Sequence, residues 1–299
     1  MGDTIGIVSP SGPILGDLTR QLTEGINFLK RLGFKVVLGK NALNVDDYSA
    51  GTPKERAEDV NLMFSDKKIK AIFCSTGGLT ANSCTPLLDW SVIRQNPKIF
   101  LGMSDATVLL NAIYAKTGVI TFHGNNVLKY GADPTKYDTQ ELVRRLVDAK
   151  IGRINKNSER KTVRKGIAEG RLLGGNLSSL LRLAGTCYFP DFSDSILFIE
   201  ANEITPQECD YTFNQLRQIG VFNKTKGVII GYVCSLQASQ KKLTSMEDIL
   251  LKITEEYDFP ILKMNDFGHN CPNTVLPIGV KARLDADTKE LEILERCVT

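Results

Sequence analysis

The stretch Lys98-Ile99-Phe100-Leu101-Gly102-Met103-Ser104-Asp105-Ala106-Thr107 joins an apolar, β-rich run directly to a segment with a helical pattern. The helix is predicted to begin at Asp105, so that Ser104 lies at the corner. Gly102 and Ala106 flank the serine two residues away on either side, and both are small. Small residues are needed at a sharp strand-to-helix turn because the two backbones nearly touch. The stretch therefore predicts a nucleophile elbow, a turn that lifts a serine hydroxyl above the edge of a sheet.

This stretch alone leaves two interpretations of Ser104 open. As a nucleophile, Ser104 would attack a carbonyl while the Asp105 N–H stabilised the developing oxyanion. As a helix N-cap, its hydroxyl would only satisfy a free backbone N–H. Ala106 replaces the second glycine of the G-x-S-x-G pattern, and the local pattern by itself favours the cap.

The composition excludes several classes of protein. The 299 residues carry 37 basic and 34 acidic side chains, and the basic residues are spread along the chain. This distribution is unlike the basic patch of a nucleic-acid-binding protein. No apolar run approaches the ~20 residues that span a bilayer, so no membrane contact is expected. The two histidines and seven cysteines form neither a clustered metal site nor a C-x-x-C pair. We therefore expect reduced thiols, a cytoplasmic location and no metal site.

Strand-like and helical patterns alternate through the first half of the chain, which predicts a parallel sheet with helices on both faces. Ligands of such sheets bind at the carboxyl ends of the strands. The loops at residues 9–13, 75–82 and 102–105 are expected to meet there. The second of these loops contains Gly77-Gly78, whose bare backbone is either half of an oxyanion hole or a tight turn with positive φ.

We divide the chain into an N-terminal α/β nucleophile domain (residues 1–130), a linker (131–165) and a C-terminal domain (166–299). Apolar residues become sparse and charged residues frequent after Lys129, which places the boundary in this region. The C-terminal domain is predicted to be the smaller one, of mixed strands and helices. It is expected to contain a short strand at 166–169, a turn at Leu173-Gly174-Gly175-Asn176 and a terminal hairpin around 285–288.

A serine nucleophile needs a base, and the base needs an orienting carboxylate. The two histidines are His123 and His269. Each also has a structural interpretation, His123 as a hydrogen-bonded residue at a pocket edge and His269 as a residue of a surface loop. Glu200 ends an apolar strand and is suited to orient the base, although it could also be the first solvated residue after that strand. A site in the chain order Ser, Glu, His would lie between the two domains, where ligand sites are common.

Seven stretches, in order along nearly the whole chain, resemble the LD-carboxypeptidase family of serine peptidases, which also contains the microcin C immunity peptidases. They are Ile5-Gly6-Ile7-Val8-Ser9-Pro10-Ser11, Ser75-Thr76-Gly77-Gly78, Gly102-Met103-Ser104-Asp105-Ala106-Thr107, Phe122-His123-Gly124, Leu173-Gly174-Gly175-Asn176-Leu177, Leu197-Phe198-Ile199-Glu200 and Phe267-Gly268-His269. The resemblance implies a triad of Ser104 as nucleophile, Glu200 as orienting carboxylate and His269 as base. It also implies an oxyanion hole formed by the N–H groups of Gly78 and Asp105.

The same resemblance implies an architecture and a set of partners. A glutamine-amidotransferase-like, flavodoxin-like N-terminal domain would carry the nucleophile elbow, and a smaller, swivelling β/α C-terminal domain would carry the triad Glu and His. The family implies a homodimer, a small peptide substrate, and no metal or organic cofactor. Gly77, Asn176 and Glu203 are candidates for contacts with the substrate.

The sequence features divide between the two branches of the family. One branch removes D-alanine from a murein tetrapeptide at an L,D bond, and the other cleaves the carboxamide of a peptidyl nucleotide. The wording at Ser75-Thr76-Gly77-Gly78 is more similar to the immunity branch. Two features favour the murein branch. The immunity branch resembles a pattern with a basic residue soon after the triad Glu, where this chain has Glu203. The immunity branch also has a tryptophan in the loop that corresponds to residues 129–165, and this chain has none there. Trp90 is interpreted as packing. A third hypothesis, a binding protein without activity on the same scaffold, is disfavoured by the complete triad.

Overall fold

The computed structural model describes residues 2–239 and 243–298, and these residues form two β-sheets with flanking helices. The strands are β1 (Thr4–Val8), β2 (Lys35–Leu38), β3 (Ile69–Cys74), β4 (Ile99–Gly102), β5 (Thr121–His123), β6 (Gly152–Arg153), β7 (Arg160–Arg164), β8 (Ile167–Asn176), β9 (Ser195–Ala201), β10 (Thr225–Val233), β11 (Ile261–Gly268), β12 (Leu276–Ile278), β13 (Lys281–Asp285) and β14 (Glu290–Ile293). The α-helices are α1 (Asp17–Arg31), α2 (Pro53–Ser65), α3 (Trp90–Gln95), α4 (Ala106–Thr117), α5 (Val127–Ala132), α6 (Lys136–Leu142), α7 (Leu177–Leu181), α8 (Pro206–Gln218), α9 (Val221–Lys224), α10 (Cys234–Gln237) and α11 (Met246–Ile253).

The first sheet has the strand order β12-β5-β4-β3-β1-β2, and its five strands from the first half of the chain are parallel. This confirms the predicted parallel sheet. Successive residues of β3 contribute to different cores, because side chains of a strand alternate between its two faces. Ala71 and Phe73 pack with α1 and α5 on one face, and Ile72 and Cys74 pack with α2 and α4 on the other. β12 comes from the second half of the chain and pairs antiparallel with β5.

The second sheet has the order β6-β14-β13-β8-β9-β10-β11-β7. Its centre, β8 to β11, is parallel, and antiparallel strands flank it on both sides. The predicted terminal hairpin is present as β13 and β14, with Asp285 opposite Glu290. The second half of the chain was expected to be the smaller unit. Over the described residues, six strands of its sheet come from residues 166–299 and two, β6 and β7, come from residues 131–165.

The turn predicted at Leu173-Gly174-Gly175-Asn176 is wrong, because these residues form the end of β8 and pair in parallel with β9. The two glycines have positive φ values, 139° and 133°, and are needed for close packing. A Cβ on Gly174 would lie 1.9 Å from the Phe198 carbonyl oxygen, and one on Gly175 would lie 2.6 Å from Thr107 Oγ1. The glycines therefore bring β8 against the helix that follows Ser104, rather than turning the chain.

The segment expected to be a linker, residues 131–165, contains regular structure. Helix α6 begins with a capping box between Thr135 and Asp138 and continues into a π-helical turn, Val143–Val147. β6 and β7 from the same segment join the two edges of the second sheet. These elements are short and polar, which is why apolar periodicity does not reveal them. No helix among the described residues is long and apolar enough to cross a membrane.

Candidate active site

Ser104 occupies a strained turn between β4 and α4. Its φ is 61°, a left-handed conformation that residues other than glycine rarely adopt. A Cβ on Gly102 would lie 2.6 Å from the Ala106 Cβ, so the small residues on either side of the serine are a steric requirement. Asp105, not Ser104, takes the N-cap position of α4, and the interpretation of Ser104 as a cap is therefore wrong. Strain of this kind clusters at functional sites.

The Asp105 carboxylate holds the Ser104 turn in place through buried polar contacts. The side chain is fully buried, accepts hydrogen bonds from Ser11 Oγ (2.5 Å) and the Ala81 N–H (2.8 Å), and forms an ion pair with Arg182. Arg182 follows α7, so this pair joins the two halves of the chain. The Asp105 backbone N–H remains beside Ser104, 3.5 Å from where a Cβ on Gly77 would lie.

Gly77 approaches Ser104, and Gly78 approaches Ser11, more closely than any other residue type could. A Cβ on Gly77 would lie 2.6 Å from Ser104 Oγ, and one on Gly78 would lie 2.4 Å from Ser11 Oγ. Gly78 also has a φ of 145°. The positive-φ turn is therefore present, and it places bare backbone directly beside the serine hydroxyl. A backbone N–H in this position can bind a developing oxyanion.

Glu200 and His269 form a hydrogen-bonded pair in which the carboxylate is buried and the imidazole is partly exposed. The Glu200 Oε2 atom is 2.6 Å from His269 Nδ1 and also accepts the His269 backbone N–H at 3.2 Å, and Glu200 is completely buried. Asn176 Nδ2 donates to the other carboxylate oxygen at 3.1 Å. Because a carboxylate only accepts, Nδ1 carries the proton and Nε2 is free to act as a base.

The pair shifts both pKa values toward the charged forms. Burial by itself raises the pKa of Glu200, but the charge and hydrogen bond of His269 outweigh burial, and the pKa is lowered. Burial by itself lowers the pKa of His269, but the Glu200 charge and hydrogen bond outweigh it, and the pKa is raised. An imidazole that becomes a stable cation on taking a proton is suited to general base catalysis.

His123, the other histidine, has a different environment. It is completely buried, and neither ring nitrogen has a hydrogen-bond partner among the described residues. The ring packs edge-on against Phe198 and Phe267, with centroids 5.5 and 6.1 Å apart. Burial lowers the pKa of His123 to about 4, so the ring is neutral at physiological pH. The hydrogen-bonded structural histidine expected here is instead an apolar-packed one.

A cavity of about 550 Å³ joins the nucleophile turn to the His269 loop. Its described lining is Leu18, Gln21, Thr76, Gly77, Gly78, Met103, Ser104, Asn125, Asn126, Leu128, Lys129, Ala132, Asn202, Gly268, His269, Asn270 and Asn273. Glu200, Asn176 and Asp105 lie behind this wall and support it. Glu203, a candidate for substrate contact, is exposed and is not in the lining, where Asn202 lies instead. Asn176 contacts Glu200 rather than the cavity.

Two residues after β5, Asn126 and Lys129, are placed at the site by the structure although the sequence did not predict a role for them. Asn126 Oδ1 accepts the Met103 N–H at 3.0 Å, and its amide group donates to the Met103 carbonyl at 3.3 Å, so Asn126 holds the residue that precedes Ser104. Lys129 lines the cavity one turn further along. The position of these residues could have been predicted from the sequence. They follow β5, which neighbours β4, and the carboxyl ends of parallel strands lie at the same edge of a sheet.

Comparison with known proteins identifies relatives along the whole chain. Residues 5–124 match the LD-carboxypeptidase N-terminal domain, and residues 169–284 match the LD-carboxypeptidase C-terminal domain. The chain is 33% identical to the microcin C7 self-immunity protein MccF of Escherichia coli, over 99% of this chain and 94% of that protein. It is also 33% identical to the probable murein peptide carboxypeptidase of Bacillus subtilis, over 96% and 90%. A solved structure of MccF in complex with aspartyl sulfamoyl adenosine is similar with a TM-score of 0.91 and 31% identity, covering 100% of this chain and 98% of that one.

Proposed function

The chain belongs to the LD-carboxypeptidase family and is a serine peptidase, and we propose that Ser104, His269 and Glu200 are its catalytic triad. The observation that carries this proposal is the 2.6 Å contact between Glu200 and His269 Nδ1, in a loop that shares one cavity with Ser104. In serine hydrolases the base must be held by a carboxylate in the tautomer that leaves Nε2 free.

The proposed reaction has two halves. His269 Nε2 takes the Ser104 hydroxyl proton while Oγ bonds to the carbonyl carbon of the terminal amide. The tetrahedral intermediate collapses, the C–N bond breaks, and His269 gives its proton to the leaving amine. Water then attacks the acyl-enzyme with His269 as base again, which releases the shortened peptide and restores Ser104.

We assign the oxyanion hole to the N–H groups of Gly78 and Asp105. The close contact of Gly77 with Ser104 supports this assignment, because it places the backbone that leads into Gly78 against the nucleophile. The buried Asp105 carboxylate keeps the turn in place through Ser11 and Ala81. Removal of one such donor costs about 3 kcal/mol of transition-state stabilisation in other serine hydrolases.

The Ser104 hydroxyl makes no hydrogen bond to His269 in the structure, although both residues line the cavity. Ser104 follows a strand of the first sheet, and His269 follows a strand of the second. The two groups must therefore approach each other for proton transfer. We propose that substrate binding completes this approach, as is common in enzymes whose sites lie between two structural units.

The proposed substrate is a murein tetrapeptide, from which the enzyme releases D-alanine at the L,D bond. No Phe, Tyr or Trp is found in the cavity lining, as far as the chain is described. A nucleoside base is usually bound by stacking on an aromatic ring, so this wall is better suited to a peptide. Trp90 packs against Tyr188, with ring centroids 5.6 Å apart, and does not line the cavity.

The second candidate is hydrolysis of the carboxamide bond of a peptidyl or aminoacyl nucleotide. Similarity to MccF over nearly the full length of both chains favours it. The same triad would serve this reaction, since the bond broken is again a carbonyl–nitrogen bond. The two candidates differ only in the leaving group that the cavity must hold.

Mass spectrometry of the products separates the candidates. The wild type and Ser104→Ala are each incubated with a murein tetrapeptide and, separately, with aspartyl sulfamoyl adenosine. Release of D-alanine by the wild type alone supports the first candidate. Turnover of only the nucleotide substrate would replace it with the second. Equal turnover by Ser104→Ala would reject Ser104 as the nucleophile.

The proposal includes the organisation of the protein. Residues 1–130 supply Ser104 and the oxyanion hole, residues 166–299 supply Glu200 and His269, and residues 131–165 connect them. A cytoplasmic location and a homodimer are also part of it. Light scattering coupled to gel filtration measures the mass of the protein in solution, and the homodimer is expected to have twice the chain mass of 33.0 kDa.

A further inference from the structure

The described cavity wall carries few charged side chains. Among the described lining residues, Lys129 is the single Lys or Arg, and no Asp or Glu is present. The remaining polar groups are mainly amides. A wall whose one Lys or Arg is not matched by an Asp or Glu in the lining attracts an anionic group.

Most of the amide donors in this wall are already used by the protein. The side-chain amide of Asn125 donates to Asp138 (2.7 Å), that of Asn126 to the Met103 carbonyl, that of Asn270 to Cys234 Sγ (3.1 Å) and that of Asn273 to the Gly268 carbonyl (3.0 Å). Lys129, by contrast, forms no ion pair and no side-chain hydrogen bond within residues 2–239 and 243–298. Its ammonium group is therefore the strongest donor in the wall that remains available to a ligand.

The backbone that carries Lys129 is held rigidly. Helix α5 packs directly on α1, where a Cβ on Gly131 would lie 1.7 Å from the Gln21 carbonyl oxygen and one on Gly25 would lie 2.3 Å from the Val127 carbonyl oxygen. The Leu128 N–H donates to the Ser75 carbonyl at 3.0 Å, just before Gly77. The Lys129 N–H donates to the carbonyl of Asn126, which holds the nucleophile turn. The backbone of Lys129 is thus connected by hydrogen bonds to the segments that position Ser104.

The charge of Lys129 also affects a residue near the His269 loop, on the opposite side of the cavity. The thiol of Cys271, two residues beyond His269, is buried. Burial and the charges of Glu200 and Asp138 raise its pKa, and the Lys129 charge opposes the increase. The positive charge is therefore felt at the loop that carries the proposed base. A group bound to Lys129 would lie between the nucleophile turn and the His269 loop.

We propose that Lys129 binds the free C-terminal carboxylate of the peptide substrate and thereby selects peptides that end in a free acid. The inference rests on the proposed function, in which the terminal amide bond is the one cleaved. The carboxylate of the leaving residue lies about one residue length, ~3.8 Å, beyond the scissile carbonyl. Its binding group must therefore lie in the same cavity as Ser104, and Lys129 is the unpaired cation of that cavity.

The test compares two probes that differ only in this group, the murein tetrapeptide and the same tetrapeptide with a C-terminal carboxamide. Binding to Ser104→Ala is measured by calorimetry, and turnover is measured with the active enzyme. We expect the acid to bind on the order of tenfold more tightly than the amide, the usual effect of a hydrogen bond to a charged group. Lys129→Gln, combined with Ser104→Ala, should abolish this preference by weakening acid binding, and Lys129→Arg should retain it.

A matched control removes the same charge outside the cavity. Lys136 is exposed in the first turn of α6 and is not in the lining, so Lys136→Gln should keep the preference for the acid. Equal binding of acid and amide by Ser104→Ala would overturn the inference, as would a preference that survives Lys129→Gln. Equal weakening of both probes by Lys129→Gln would also overturn it, because the lysine would then contact another part of the peptide.

These experiments distinguish a failure of the carboxylate site from a failure of the proposed function. If the active enzyme releases no D-alanine but Ser104→Ala binds the acid with a Lys129-dependent preference, the proposed reaction fails and the carboxylate site stands. If D-alanine is released with no such preference, the reaction stands and the carboxylate site fails. If neither probe binds and neither is cleaved, both are rejected.

Discussion

The two walls of the cavity are built by different physical means. The wall from the first sheet is set by steric fit, because Gly77, Gly78 and Gly102 leave no room for a Cβ and Ser104 is held at positive φ. The wall from the second sheet is set by charge, because a buried carboxylate holds His269. In the proposed proton transfers only the second wall supplies a titrating group, His269, whereas Lys129 of the first wall is proposed only to bind substrate. Variants of the two walls should therefore differ in their pH dependence even where both lose activity.

The two histidines show how much the charge partner matters. His123 is completely buried and His269 is partly buried at the cavity wall, and burial alone lowers the pKa of each. His123 packs against aromatic rings, and its pKa is lowered to about 4. His269 contacts Glu200, and its pKa is raised. Burial therefore makes a histidine inert unless a carboxylate is buried with it.

The largest expected effect comes from replacing one member of each wall. We expect Ser104→Ala and His269→Gln each to lower kcat for the peptide by about 10⁵-fold or more, because both remove the same proton-transfer step. The double variant should lose little beyond either single one. Steady-state kinetics with wild type as reference measures all three. A loss below tenfold for His269→Gln, with a large loss for His123→Gln, would transfer the base role to His123.

Glu200→Gln should have the next largest effect, on the order of 10⁴-fold in kcat. Activity needs neutral His269, so kcat/KM of the wild type should rise with pH along an acid limb whose pKa lies above the usual 6.5 of histidine. Glu200 causes the increase in this pKa, and without it the desolvation that remains lowers the pKa. The limb of Glu200→Gln should therefore move to lower pH. An unmoved limb would show that another group titrates.

Gly77→Ala tests the steric wall. Its new Cβ would lie 2.6 Å from Ser104 Oγ and 2.7 Å from Ser104 Cβ, so the nucleophile must move. We expect kcat to fall by about 10²-fold, the effect of a displacement of about 1 Å, with the pH limb in its wild-type position. Thermal unfolding controls for a loss of fold. A shifted limb at unchanged stability would contradict the separation between the two walls.

The smallest effect concerns stability rather than rate. The pKa of His123 is about 4 in the folded protein and 6.5 in an unfolded chain, so the unfolded state binds more protons between these values. Stability from a neutral His123 is thus complete above pH 6.5 and is lost as the pH falls through 4, by about 3 kcal/mol in all. Urea unfolding at pH 7.5 and 4.5 should show a smaller loss for His123→Leu than for wild type. Equal losses would show that His123 does not titrate on unfolding.

The features that local sequence could predict are those determined by neighbours in the chain. The small residues around Ser104 predicted a tight turn, and the alternation of strands and helices predicted the first sheet. The Gly174-Gly175 pair was predicted to be a turn, because the sequence does not distinguish a glycine that is needed for a turn from a glycine that is needed for close packing. Only the tertiary contacts with Phe198 and Thr107 distinguish them.

Contacts between distant residues were beyond local prediction. Glu200 was a candidate from its place at a strand end, but only the resemblance chose His269 over His123 as its partner, since 69 residues separate Glu200 from His269. The ion pair between Asp105 and Arg182 and the position of Lys129 had no sequence signal of their own, because lysines and arginines are frequent on any surface. The substrate contact expected from Glu203 depended on which side of a short loop faces the cavity, and Asn202 lies there instead.

The most direct test of the central claim is covalent labelling with a fluorophosphonate, followed by peptide mapping. Such a probe reacts with a serine only where a base activates its hydroxyl. We expect one label on Ser104 of the wild type, none on Ser104→Ala, and labelling slowed by orders of magnitude in His269→Gln. A label on another serine, or labelling of Ser104 that is unaffected by loss of His269, would contradict the proposed triad.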